Sequence, residues 1–184
     1  MTRRSPTQLP HYTTMSSPLG ELLLLGEPSM LPGSNGPAIL ALTGVFTPGH
    51  RTAPSPGADA TRDDRGLAPA VQALVAYFAG RQRSFALPLA PRGTPFQLSV
   101  WAALGRIAYG STTSYGALAR EVGHPGAARA VGRAVATNPL SIVVPCHRVV
   151  GASGALTGYA GGLERKSQLL ALEAAVIGRG VLPT

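Results

Sequence analysis

Residues 94–150 read TPFQLSVWAALGRIAYGSTTSYGALAREVGHPGAARAVGRAVATNPLSIVVPCHRVV. Thr94 can cap a helix, Pro95 suits the first helical position, and Gln97 follows at the spacing of a capping box. Phe96, Val100, Trp101, Leu104 and Ile107 recur at helical spacing, and Tyr109-Gly110 ends the run. Ser114 caps a second helix, which stops at Gly123 and Pro125. A third runs over 127–138 and ends before Pro139. Two short helices joined by a few residues containing glycine form a helix-turn-helix pattern. The third helix carries Arg129 and Arg133 four residues apart, hence on one face. Its remaining side chains are small, which lets a helix come close to DNA or to another helix. The spacing by itself does not choose between the two.

The apolar run 141–150, SIVVPCHRVV, predicts a buried strand that ends at a chemical group. Cys146 is the only cysteine in 184 residues, and His147 follows it. A free thiol has a pKa of about 8.5, so it needs a base or a positive field beside it to react near neutral pH. His147 and Arg148 are the nearest candidates. Pro145 fixes φ and removes a donor just before the thiol, which stops a strand there and can present Cys146 at a cleft. A lone cysteine is more often a small buried hydrophobe, and composition alone favours that reading.

Working outward, 88–95 (PLAPRGTP) holds three prolines and a glycine and predicts a domain junction. Before it, Leu67, Val71, Leu74, Val75 and Phe78 form one helical face closed by Gly80. Residues 16–25 and 38–46 are short apolar runs bounded by Pro and Gly and predict the strands of a hairpin or small sheet. Residues 47–66 show no apolar periodicity and predict a flexible loop, with Asp63 and Asp64 a solvated surface cluster. Residues 1–10 read as a tail. After Val150 a glycine-rich turn, 151–162, leads into a last helix over 163–176.

The chain carries a net charge of +8, and of its 16 basic residues all but Lys166 are arginine. Arginine bias in the genome explains much of the surface share. The residues that pair with phosphate in a fork geometry point to a polyanion. Residues 94–184 carry 8 basic and 3 acidic groups, so the half with Cys146 is the more basic. One cysteine forms no internal disulfide and no cysteine-rich zinc site, and the 4 histidines lack ligand spacing. No run approaches the roughly 18–20 apolar residues of a membrane span. These features predict a cytoplasmic protein with no membrane and no metal partner.

The segment from Phe96 to Glu173 closely resembles the O6-alkylguanine-DNA alkyltransferases (methylated-DNA–protein-cysteine methyltransferases). The Arg-Ala-Val-Gly helix, the Asn-Pro turn and the Pro-Cys-His-Arg-Val core occur in the family's order. Over 12–93 the likeness is weaker and rests on SPLGELLL and AYFAGRQRSFALPL. The resemblance implies an α/β + α fold: a ribonuclease-H-like N-terminal α/β domain (11–90), then a helical, winged helix-turn-helix domain (91–184). It implies a monomer that needs no cofactor and binds the minor groove of double-stranded DNA containing O6-alkylguanine. The alkyl group passes irreversibly to Cys146 after the base flips out, with O4 of thymine a second candidate lesion.

By the same resemblance, Glu173 orients His147, which takes the thiol proton through a water. Asn138 holds the turn between recognition helix and active-site strand. Arg129 fills the gap in the base stack and Arg133 meets phosphate. Tyr115 donates to the flipped guanine, Val149 offers backbone groups, Tyr159 lines the alkyl pocket and Gly161 lies in its loop. Ala160 stands where some members carry serine, and so loses a hydroxyl donor. The competing reading is a sensor that binds the lesion and transfers nothing.

Overall fold

The computed structural model describes residues 11–29, 39–55 and 60–178. The expected tail 1–10, and residues 56–59 of the expected flexible loop, lie outside the described residues. Strands β1 (His11–Ser17), β2 (Gly20–Ser29), β3 (Ile39–Phe46) and β4 (Thr61–Arg62) form one sheet in the order β3-β2-β1-β4. Helix α1 (Ala68–Phe78) follows. The second half holds α2 (Pro95–Leu104), β5 (Thr113–Ser114), α3 (Tyr115–Glu121), α4 (Ala128–Ala136), β6 (Val149–Val150) and α5 (Leu163–Gly178). Among the described residues no helix is long and apolar enough to cross a membrane.

The strand expected at 16–25 is broken by a hairpin turn. Ser17 pairs with Gly20, and Pro18 and Leu19 make the loop between them. Gly20 sits at φ +97°, a conformation few other residues tolerate, and the Ser17 hydroxyl donates to the Gly20 carbonyl at 2.7 Å. Residues 11–15 therefore form an unexpected strand whose Thr13 and Met15 face the core. Their polar neighbours hid the alternation. Order also extends into the expected loop. Thr61 and Arg62 pair in parallel with His11 and Tyr12. Asp63 accepts from Gly66 N–H at 2.7 Å and contacts His11 Nδ1 at 3.0 Å, while Asp64 accepts from the Thr13 hydroxyl. The acidic pair fastens this segment to β1, although Asp64 remains exposed.

Helix α1 lies where expected, but its buried face is turned. Ala70, Leu74 and Tyr77 are buried, and Val75 is 47% exposed. Periodicity favoured the valine because it weighs only hydrophobicity. The tyrosine goes inside because its hydroxyl has a partner there. Helix α2 starts as expected: Thr94 Oγ1 accepts from Gln97 N–H at 3.2 Å and Gln97 Oε1 accepts from Thr94 N–H at 2.8 Å. It ends at Leu104, so Ile107 lies beyond it. Trp101 Nε1 donates to the Ala134 carbonyl at 2.8 Å and anchors α2 on α4. Ser114 caps α3 through Ala117 N–H at 3.1 Å.

The largest departure is 141–150. Only Val149 and Val150 are strand, paired in parallel with Thr113 and Ser114. Residues 141–144 form a tight turn, and Cys146–Arg148 a single 3-10 turn. The apolar run does go inside, since every residue from 141 to 150 is buried. The backbone differs because Asn138 ties the ends together: its Nδ2 donates to Val144 O at 2.8 Å and its Oδ1 accepts from Leu140 N–H at 3.0 Å. Ile142 is held at φ +73°, an uncommon position for a β-branched residue. The N-terminal sheet supports this turn directly. Val45 N–H donates to Pro139 O at 2.8 Å, and Val45 O accepts from Ser141 N–H at 3.1 Å.

Thr94→Ala removes one half of the α2 capping box, and equilibrium urea unfolding should register a loss of about 1 kcal/mol.

Candidate active site

Cys146 opens the 3-10 turn and is 4% exposed. Burial pushes its thiol pKa up. The Asn138 amide, the Lys166 ammonium and the backbone N–H groups of Cys146 and His147 pull the other way. The site therefore keeps the sulfur protonated at rest while offering its anion several donors. Removing the proton needs a base.

His147 is fully buried, and its Nε2 lies 2.9 Å from Glu173 Oε1. A carboxylate only accepts, so Nε2 carries the proton and Nδ1 presents its lone pair. Nδ1 is buried and has no hydrogen-bond partner among the described residues. Burial lowers the His147 pKa; Glu173 opposes this, and the Arg148 and Lys166 cations reinforce it. The imidazole is thus neutral and able to accept a proton.

Glu173 stays charged for reasons that sequence reasoning missed. Arg148 grips it with two nitrogens, Nη2 to Oε1 at 2.8 Å and Nε to Oε2 at 3.0 Å. Gly110 N–H donates to Oε2 at 2.8 Å, and the Tyr77 hydroxyl donates to Oε1 at 2.8 Å. Burial alone would raise the carboxyl pKa, but His147, Arg148 and Gly110 outweigh it and hold the group down at about 2. Arg148 also donates to Ile107 O at 2.6 Å, and its guanidinium lies 5.4 Å from the Tyr109 ring centre. It serves as the counter-ion of Glu173, which leaves His147 uncharged. Only its place beside His147 signalled it.

Lys166, the single lysine, is fully buried. Its ammonium donates to the carbonyls of Val149 and Thr157 at 2.5 and 2.6 Å. It joins the strand after the thiol to the glycine-rich loop. Its rarity against so many arginines was the one available signal. Tyr115, at the start of α3, donates from its hydroxyl to Thr157 O at 3.2 Å and Gly158 O at 3.3 Å, on the same loop. Tyr159, Ala160 and Gly161 are buried, and burial followed by the nearby Cys146 raises the Tyr159 hydroxyl pKa. Any Cβ on Gly161 would stand 2.3 Å from Thr47 Oγ1, so only glycine fits.

A family model described as the 6-O-methylguanine DNA methyltransferase DNA-binding domain matches residues 95–175. A methylated-DNA–protein-cysteine methyltransferase of Mycobacterium tuberculosis H37Rv is 49% identical over 165 residues, which cover 89% of this chain and 92% of that protein. The chain belongs to the methylated-DNA–protein-cysteine methyltransferases. A constitutive member from Bacillus subtilis is 44% identical over 167 residues, 89% of this chain and 94% of that protein. The crystal structure of Mycobacterium tuberculosis OGT in complex with DNA matches at a TM-score of 0.79 and 46% identity, over 90% of this chain and 94% of that one. The match confirms a mixed α/β architecture for this methyltransferase.

The structure buries Cys146, His147, Glu173, Asn138, Tyr159, Ala160 and Gly161; His147 meets Glu173, and Asn138 and Tyr159 lie close to Cys146. Val149 joins them through its carbonyl on Lys166. Arg129 and Arg133 stand apart, exposed on α4, and their guanidinium groups make no hydrogen bond or ion pair among the described residues. Gly132, three residues from Arg129 and on its face, lies 3.7 Å from the Tyr115 ring, measured from an ideal Cβ. Arg129 is therefore one helical turn from the rim of the site.

Glu173→Gln leaves the buried Arg148 cation unpaired and should lower stability by about 3–5 kcal/mol. The folded carboxyl lies near 2 and the unfolded one at about 4.3, so its contribution is complete above the higher value and fades as pH falls between them. Urea unfolding across that window should show the difference between wild type and variant shrinking toward acid pH.

Proposed function

We propose that this protein repairs alkylated DNA by direct reversal, moving an alkyl group from O6 of guanine onto Cys146. The observation that carries the reading is the buried sulfur beside a neutral imidazole whose Nε2–H is committed to Glu173. His147 Nδ1 takes the thiol proton through an intervening water. The thiolate attacks the alkyl carbon in line with the C–O6 bond. That bond breaks with its electron pair on O6, and a thioether forms on Cys146. The proton that His147 took from the thiol passes back through water to the guanine, which is left in the DNA as the neutral base, and His147 returns to its neutral form. Atoms and charge balance with the protein and lesion alone. Nothing in the site cleaves a thioether, so each molecule acts once.

Bringing the target carbon to a buried sulfur requires the base to leave the helix. Helices α3 and α4 supply the helix-turn-helix, with α4 as the element that meets DNA and its third-helix position giving the winged helix-turn-helix reading for 91–184. The sheet β3-β2-β1-β4 with α1 supports the ribonuclease-H-like reading for 11–90. Arg129, exposed and one turn from Tyr115, fills the space the base vacates from the minor-groove side. Arg133 meets phosphate. Tyr115 donates to the departing guanine, exchanging its bonds to the Thr157 and Gly158 carbonyls for one to the base. Tyr159 lines the alkyl pocket, the Ala160 N–H faces O6, and Val149 and Gly161 shape the pocket wall with their backbones. Asn138 keeps the active-site turn on the end of α4.

The test is direct. The protein is mixed with a duplex containing O6-methylguanine and digested, and the peptide holding Cys146 is weighed. A gain of one methyl group at one-to-one stoichiometry is expected. Tight lesion binding with an unchanged peptide would mark a sensor and end the transfer reading. Cys146→Ser should bind the lesion and transfer nothing. Arg129→Ala should slow repair with little change in melting temperature; an unchanged rate removes Arg129 from the mechanism. Ala160→Ser restores a hydroxyl donor and should raise the second-order transfer rate by about two- to tenfold, the worth of one hydrogen bond.

A further inference from the structure

Tyr77 lies on α1, in the half of the chain that precedes the helix-turn-helix, yet its hydroxyl ends in the reaction centre. Its side chain is fully buried. The ring packs among Phe78, Phe85 and Tyr109, with centres 5.5, 5.5 and 5.9 Å away. This packing fixes where the hydroxyl points. The hydroxyl donates to Glu173 Oε1 at 2.8 Å.

That oxygen is the one His147 uses. Oε1 receives His147 Nε2 at 2.9 Å, Arg148 Nη2 at 2.8 Å, the tyrosine hydroxyl and, at 3.2 Å, Arg148 Nε, which is shared with Oε2; Oε2 also receives Gly110 N–H. An oxygen that shares its electron density among several donors pulls less on each. The imidazole is held by one carboxylate oxygen, and the tyrosine competes for it. Burial, followed by the carboxylate itself, raises the Tyr77 pKa, so the group stays a donor throughout the working range.

We infer that Tyr77 is a positioning residue for alkyl transfer, one that acts through Glu173 to set both the orientation of His147 and its strength as a base. This rests on the repair reading above. It makes the N-terminal half part of the proton relay as well as a support for it. Glu173 and Lys166 of α5, and Arg148 and Cys146 of the 3-10 turn, are the charged and titratable groups that face His147. Tyr77 of α1 and Tyr109 of the segment before β5 face Glu173. Of these, Tyr77 is the one neutral donor on the oxygen that His147 shares.

The direction of the effect follows. His147 accepts the thiol proton only when neutral, so transfer fades as pH falls through its pKa. Removing the tyrosine donor lets Glu173 pull harder on Nε2–H and raises that pKa. The acid limb of the rate profile then moves to higher pH. A stronger donor at the same place moves it lower.

The experiment compares wild type, Tyr77→Phe, and protein with 3-fluorotyrosine introduced at position 77. Alkylation of Cys146 is followed against pH with a duplex containing O6-methylguanine and, separately, with iodoacetamide. For Tyr77→Phe the acid limb should move up by about 0.5–1 pH, and the plateau should fall about three- to tenfold, while affinity for the duplex stays the same. For the fluorinated protein the limb should move down. A lower plateau with an unmoved limb would show a packing role only and overturn the inference. So would a limb that stays put in the fluorinated protein, which decides the matter if Tyr77→Phe fails to fold. If wild type reacts with iodoacetamide but never with the lesion, the repair reading falls, while the iodoacetamide limbs still judge Tyr77.

Discussion

A carboxylate taken fully out of water is costly unless every lone pair finds a donor. Glu173 is 0% exposed and meets that demand with donors from three separate stretches of chain. Tyr77 comes from α1, Gly110 from the segment between α2 and β5, and His147 and Arg148 from the 3-10 turn. The helix that bears the carboxylate is a fourth. Satisfying one charge therefore fixes the mutual placement of four parts of the molecule. Gly110 shows how tight the fit is. It sits at φ +72°, and an added Cβ would stand 2.0 Å from Ile177 Cδ1.

The charge pattern around the sulfur follows from that pairing. Glu173 and Arg148 cancel each other, so His147 need not be protonated to balance the carboxylate. Lys166 is then the cation left to favour a thiolate, and it is spread over the carbonyls of Val149 and Thr157. A centre of this kind holds a thiol that is quiet until its proton has somewhere to go. That suits a protein whose nucleophile is used once, since stray alkylation would waste the molecule. The same lysine and the Tyr115 hydroxyl share the carbonyls of the glycine-rich loop, so this loop and the strand after Cys146 are held by common contacts.

The N-terminal half takes part at several points. Val45 of β3 bonds to both sides of the active-site turn, Arg165 of α5 donates to Leu19 O in the first hairpin at 2.9 Å, and Thr47 packs on Gly161. One continuous core runs from Leu22 and Leu74 through Trp101 and Val131 to Leu169. The proline-rich stretch near 88–95 is a junction in sequence but is bound in place, since Leu42 N–H donates to Pro88 O and Ala90 N–H to Leu42 O.

The helices of the second half, their caps and the pairing of Cys146 with His147 could be read directly, because capping and helical periodicity act over three or four residues. The turn around Cys146 could not. Apolarity reports burial, and a buried turn held by the Asn138 amide looks the same in sequence as a buried strand. The first hairpin was missed for a related reason: Ser, Thr and Met alternate too weakly to mark a strand. The roles of Tyr77, Arg148, Lys166 and Gly110 belong to the tertiary structure alone. Tyr77, Arg148 and Gly110 answer the charge of Glu173, and Lys166 answers the carbonyls of Val149 and Thr157; only folding sets the distances at which these groups meet. By itself, the sequence determined the lone thiol, the imidazole that follows it and the capped helices of the second half. The tertiary structure decided which protonation states those groups hold, because burial and partner distance control pKa and neither is written in local order.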